Sequence, residues 1–171
     1  METEIAQHAD ASFQVGDMAV HPAHGVGEVT GIEKRDLGGS VNLFYVLRII
    51  DTGLKVMIPL RATAHVGLRR IMSRKEADKV LGVLQAQEIA VDVQPWNRRF
   101  RAYTEMLKSG SPYEIAKVLR DMSRLKFDKD LSFGERRLLD QAKSLLVKEL
   151  ALAKQVHPGA MEGEISQILS T

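Results

Sequence analysis

The chain of 171 residues contains no cysteine, which excludes disulfides, thiolate chemistry and cysteine-based zinc fingers and fits a reducing cytoplasm. It also lacks long apolar runs. The longest, Leu43 to Leu47, is interrupted by Arg48 and falls far short of the roughly 20 residues a membrane-spanning helix needs. The segment Met1 to Ser12 is polar and acidic with no apolar stretch, so no secretory signal is expected and a cytoplasmic protein is. No spacing assigns a Ser-His-Asp arrangement or a pair of working carboxylates, which argues against an enzyme. His21 and His24 stand close together, but zinc usually takes three or four protein ligands and no further ligand is indicated by spacing, so neither a metal nor a cofactor is expected. Gly25, Gly27 and Gly31 have neither the dinucleotide nor the P-loop spacing and read as turn glycines.

What remains is ordinary globular composition, 44% hydrophobic and 27% charged, with charge that is segregated. From Gln94 to Lys126 eight Lys and Arg stand against three acidic residues, leaving 16 basic and 19 acidic residues elsewhere. A positive segment on a mildly acidic chain is the footprint of a domain that meets phosphates.

Two periodicities divide the chain. Strand signals occupy Met18 to His21, Gly25 to Glu33, Leu43 to Ile50, Leu54 to Leu60 and Leu68 to Ile71, separated by turn residues such as Leu37-Gly38-Gly39 and Asp51-Thr52-Gly53. Short strands with tight turns predict a small β barrel. Leu43 to Ile50 is apolar on both faces, whereas Leu54 to Leu60 alternates and carries Pro59 near its end, as an edge strand would.

Beyond Met72 the period becomes helical, with Ser73-x-x-Glu76, Ser111-x-x-Glu114 and Ser132-x-x-Glu135 each offering a capping box. Helices are predicted near 74–86, 95–109, 112–126 and 133–154, with a loop at Gln87 to Gln94. The tail from Pro158 is expected either to form a short helix or to stay disordered. The fold class is therefore α+β: a flexible N-terminus (1–12), a β domain (13–72), an all-α domain (73–157) and a tail (158–171).

The only tryptophan, Trp96, lies in the first turn of the second predicted helix beside Arg98, Arg99 and Arg101. At about 100° per residue Trp96, Phe100, Tyr103 and Leu107 share one stripe, opposite Arg98, Arg101 and Lys108. In the next helix Ile115, Val118, Leu119 and Met122 are opposed by Lys117, Arg120 and Arg124. Two basic outer faces over a shared core suit a phosphate-tracking surface, although solvated lysines and arginines decorate many helices. On pattern alone, core packing of the indole is the favoured reading.

Further residues carry a family likeness: Phe13-Gln14-Val15-Gly16-Asp17, Val20 to Gly27 (Val-His-Pro-Ala-His-Gly-Val-Gly), Gly31 to Arg35, Phe44 to Leu47, Met57-Ile58-Pro59, Val66 to Arg69, Trp96 to Phe100 and Leu131 to Arg137. Their order resembles the CarD/CdnL family of bacterial transcription regulators over roughly Phe13 to Lys154. The resemblance implies a Tudor-like, SH3-like β domain that grips the β subunit of RNA polymerase, followed by a compact helical domain held on promoter DNA at the upstream edge of the melted region. It implies stabilisation of the open complex, support of the housekeeping holoenzyme including at ribosomal RNA promoters, no sequence-specific operator and localisation with polymerase on the nucleoid. By the same resemblance Trp96 matches a minor-groove wedge, half exposed, with Arg98, Arg99 and Arg101 as the basic cluster beside it. Arg35, Met57 and Pro59 match the polymerase-facing surface. Some relatives carry a basic residue where this chain has Met57, so the contact is expected to be more apolar, with strand addition along the Pro59 strand contributing. A monomer with no membrane partner is expected; the competing reading is a protein adaptor of the transcription machinery that touches no DNA.

Overall fold

The computed structural model describes residues 13–86 and 95–170. The expectations of a flexible N-terminus at 1–12 and a loop at 87–94 lie outside the described residues. The chain divides into two compact units, Met1–Ile71 and Met72–Thr171.

The first unit is an antiparallel sheet of β1 (Met18–His21), β2 (Gly25–Leu37), β3 (Ser40–Ile49), β4 (Lys55–Pro59) and β5 (Arg69–Arg70), in the order β4-β3-β2-β1-β5. Between β4 and β5 lie a 3-10 turn, Leu60–Ala62, and a short helix, α1 (Thr63–Val66), neither of which the sequence pattern predicts. Alternate residues of the strands face one cluster formed by Phe13, Ala19, Val29, Tyr45, Leu47, Ile49, Ile58 and Leu68. Tyr45 closes it, receiving the Phe13 backbone N–H on its hydroxyl at 3.0 Å and meeting the Phe13 ring edge-on at 5.8 Å.

The β2–β3 ribbon is longer than its apolar pattern. Gly38 and Gly39 take φ of 63° and 88°, the two left-handed positions that a tight hairpin turn requires. That turn pairs Lys34 to Leu37 with Ser40 to Leu43, extending β2 beyond Glu33 through residues that are exposed. Backbone pairing set by a turn needs no buried side chains.

The second unit contains α2 (Arg74–Gln85), α3 (Trp96–Lys108), α4 (Pro112–Asp128), α5 (Phe133–Lys154) and α6 (Pro158–Leu169). In α2, α4 and α5 the preceding serine hydroxyl accepts from the third helical amide. The reciprocal box is complete at Ser73 and Glu76 (3.1 and 2.9 Å), whereas the Glu114 carboxylate turns to Lys117 at 3.1 Å. Pro95 is the N-cap of α3 rather than its first residue.

Of the two expectations for the tail, the helix forms. Met161 and Ile165, four residues apart, are wholly buried in the core built by the other helices, so residues 158–169 are part of that unit and no boundary falls at Pro158. Lys143 pairs with Glu162 at 2.8 Å across α5 and α6. One buried carboxylate, Glu149 of α5, accepts the Met72 backbone N–H at 2.9 Å and so fixes the entry of the chain into the helical unit.

The strands approach closely at Gly27, where a Cβ would lie 2.7 Å from Leu47 Cγ and 3.0 Å from the Arg48 carbonyl oxygen. Gly27→Ala is expected to destabilise the β unit by about 1–3 kcal/mol, the usual cost of overpacking. Faster amide exchange in β2 and β3, with exchange in the helical core unchanged, is the expected result.

Candidate functional site

Helix α3 leaves its cap with Arg98 and Arg99 amides donating to the Pro95 carbonyl at 3.0 and 3.2 Å. Its apolar stripe is unevenly covered: Tyr103 and Leu107 are buried, Trp96 is half-buried, and Phe100 is 37% exposed. The indole and Phe100 rings are tilted at 55° with centroids 5.7 Å apart. Arg98 and Arg101 are exposed, while Arg99 is half-buried with its guanidinium 5.7 Å from the indole centroid.

The other basic helix face departs from expectation. Arg120 and Arg124 turn toward the end of α2, Arg120 donating to the Val83 carbonyl at 3.4 Å and Arg124 to that of Ala86. The end of a helix leaves its last carbonyls short of intrahelical partners; that of Val83 takes the Ala86 amide at 3.3 Å as well. Arg120 is only 13% exposed and also meets Asp121 at 3.1 Å, and Lys117 pairs with Glu114. The helical wheel correctly sets these residues off the apolar stripe of α4, but it cannot show that another helix end lies there. Asp121 in turn accepts the Tyr103 hydroxyl proton at 3.2 Å. Burial raises the Tyr103 pKa first, and Asp121 adds to this against the opposing influence of Arg99.

A surface aromatic that the sequence reading did not assign to the site adjoins α3. Phe133, the first residue of α5, is 83% exposed. Its neighbour Gly134 lies under the Phe100 ring, where a Cβ would come within 3.3 Å of Phe100 Cε2. Arg136 and Arg137 follow on the same helix, both exposed. Only the position of Phe133 outside the apolar stripe of α5 could have signalled it in the sequence. Beneath it Glu135, 3% exposed, holds Lys129 at 3.0 Å and the Ser132 hydroxyl at 2.9 Å.

In the β unit the register places Arg35, Met57 and Pro59 on one face. Arg35 faces Asn42, Glu33 faces Phe44, Phe44 faces Pro59 and Val46 faces Met57, and paired residues in antiparallel strands project to the same side. Arg35 lies between Glu33, at 3.1 Å, and the Met57 sulfur, at 3.8 Å. Met57 is 36% exposed on β4, an edge of the sheet.

His21 and His24 rings are 4.7 Å apart. His21 Nδ1 accepts the Ala23 amide at 3.0 Å, and burial, then His24, lowers its pKa. Among the described residues there is no group of three His, Cys, Asp or Glu that could hold a metal, and no helix long and apolar enough to cross a membrane.

The profile of the CarD-like/TRCF RID domain matches residues 13–72, and that of the CarD C-terminal domain matches residues 79–166. The chain is 31% identical over 144 residues to YdeB of Bacillus subtilis (strain 168), a candidate transcription factor, covering 84% of this chain and 94% of that one. Among solved structures it is similar to CdnLNt from Myxococcus xanthus, at 52% identity over 36% of this chain and 87% of that chain, with a TM-score of 0.32.

Burial opposes ionisation of Glu135, but Lys129 and Ser132 outweigh it and hold the carboxyl below its ordinary value near 4.5. With the folded-state pKa depressed, this contribution to stability is complete above the ordinary value and is lost as pH falls through the lowered one. Glu135→Gln is expected to flatten the loss of stability below about pH 5 in urea denaturation followed by Trp96 fluorescence. An equally steep acid loss in the variant counts against the assignment.

Proposed function

The chain belongs to the CarD/CdnL family, a transcription regulator acting through RNA polymerase, and from that premise we propose that it lengthens the life of the promoter open complex by placing Trp96 at the upstream edge of the melted DNA. The observation that carries this reading is the half-buried indole in the first turn of α3 with Arg98 and Arg101 exposed beside it. An indole with one free edge can wedge against a distorted base step, and guanidinium groups meet the flanking phosphates. In this reading Arg98, Arg99 and Arg101 form the basic cluster and Phe133 extends the aromatic surface. Contact of this kind follows the shape and opening of the duplex rather than a base sequence, which suits promoters of the housekeeping holoenzyme, ribosomal RNA promoters among them.

Few phosphate contacts imply weak binding to DNA alone. The β unit supplies what is missing: held on the polymerase β subunit, it raises the effective concentration of the helical unit at the promoter. Arg35, Met57 and Pro59 are the proposed contact face, apolar at its centre, and the edge strand β4 offers unpaired backbone groups for strand addition. One copy of the chain suffices for both contacts.

Two substitutions in the full-length protein separate the activities. Trp96→Ala is expected to shorten open-complex lifetime roughly tenfold, within the range of about 1–3 kcal/mol that aromatic contacts to bases contribute, with polymerase affinity unchanged. An unaltered lifetime refutes the wedge. Met57→Asp is expected to weaken polymerase binding about tenfold by introducing a charge at an apolar contact, measured by calorimetry on the purified β subunit; full affinity would show that another face is used.

A further inference from the structure

The three arginines beside Trp96 are not equivalent. Arg98 and Arg101 project into solvent, whereas Arg99 is half-buried, and its Nε is shut off from solvent without a hydrogen-bond partner. Its guanidinium stands 5.7 Å from the indole centroid, inside the distance at which a cation is held by an aromatic face. Arg99 also interacts with the Tyr103 hydroxyl, one turn on in the same helix, and that hydroxyl donates to Asp121 at 3.2 Å. The second oxygen of Asp121 takes Arg120 Nε at 3.1 Å, and Arg120 is anchored on the Val83 carbonyl at the end of α2.

We propose that Tyr103 and Asp121 are positioning residues acting through Arg99, whose guanidinium clamps the Trp96 indole at a fixed angle and does not contact phosphate. This rests on the reading of Trp96 as the DNA-contacting ring. A tyrosine oxygen whose proton is committed to a carboxylate turns its lone pairs toward the cation beside it, and such chains polarise one another in a poorly hydrated site. Arg99 leaving for a phosphate would abandon both the ring and that oxygen. An indole in the first turn of a helix, covered on one side only, would otherwise sample several rotamers. Holding it in one removes an ordering cost from insertion. Phosphate contact falls to the two arginines that the structure leaves free in solvent.

Because Trp96 is the only tryptophan, its fluorescence in the full-length free protein reads the clamp without reference to function. Arg99→Met, which keeps the stem and removes the charge, is expected to raise acrylamide quenching about twofold and lower the anisotropy, as faster side-chain motion would. Tyr103→Phe should do part of the same and add nothing in the Arg99→Met background. Unchanged quenching and anisotropy in Arg99→Met overturn the clamp. On polymerase–promoter complexes, Arg98→Gln and Arg101→Gln should each flatten the dependence of log lifetime on log salt, by about one unit per lost phosphate contact. Arg99→Met should shorten lifetime at unchanged slope and have no effect when Trp96→Ala is already present. A flattened slope for Arg99→Met identifies a phosphate contact and overturns the clamp while leaving the wedge standing. If Trp96→Ala leaves lifetime unaltered, the proposed function fails, and the fluorescence still decides the clamp.

Discussion

The apolar stripe of α3 is received unevenly by the core, which covers its two ends better than its middle. Leu107 and Tyr103 are buried, Trp96 at the start is partly buried against the core, and Phe100 between them is exposed. Full burial of a large apolar side chain contributes about 1.5–3 kcal/mol, so a half-open indole gives up part of that. A neighbouring cation offsets some of the loss, at about 0.5–1 kcal/mol for an exposed ring. The consequence is a large flat group presented at a surface, next to positive charge, on a rigid helix rather than a loop. This partly open aromatic surface depends on the uneven cover of one stripe more than on any single contact.

Behind that surface the helical unit uses charge in two ways. Arg98 and Arg101 are spent on solvent, while Arg120, Arg124, Asp121, Glu135 and Glu149 are drawn inward onto helix ends, backbone amides and one another. Buried pairs of this kind add little net stability, since desolvation consumes most of the attraction. Their value here is geometric. Arg120 and Arg124 close the last carbonyls of α2, Glu149 holds the entry at Met72, and Glu135 with Lys129 stiffens the turn that carries Phe133. Positive charge in the segment is therefore divided between scaffold and surface, and the net excess read along the chain overstates what a phosphate could meet.

In the β unit the same economy comes from strand alternation. The buried face of β3 and β4 holds Tyr45, Leu47 and Ile58, and the opposite face collects Met57 and Pro59 with Arg35 from β2. An edge strand that ends at Pro59 keeps its outer backbone groups unpaired by the sheet's own strands, and proline limits how far an added strand could run. A partly exposed face that joins Arg35, Met57 and Pro59 thus arises from the plain arithmetic of a two-residue period.

Much of this was legible in the residues. The change from period two to period 3.6 near Met72, the three serine caps and the glycine-marked turns located the strands and four of the helices to within a few residues, because those signals are local. The hairpin extension is not legible in apolar alternation because Gly38-Gly39 drives the pairing without it, and the only local sign of the tail helix is that Met161 and Ile165 stand four apart. The sequence by itself determined which residues could share a face: Trp96 with Tyr103, Arg98 with Arg101, Met57 with Pro59. Only the tertiary structure decided which of those faces are covered. Arg120 and Arg124 became scaffold, Arg99 became the neighbour of a ring, and Phe133 became surface, because cover depends on where other helix ends and carbonyls arrive, and that is a property of packing between segments distant in the chain.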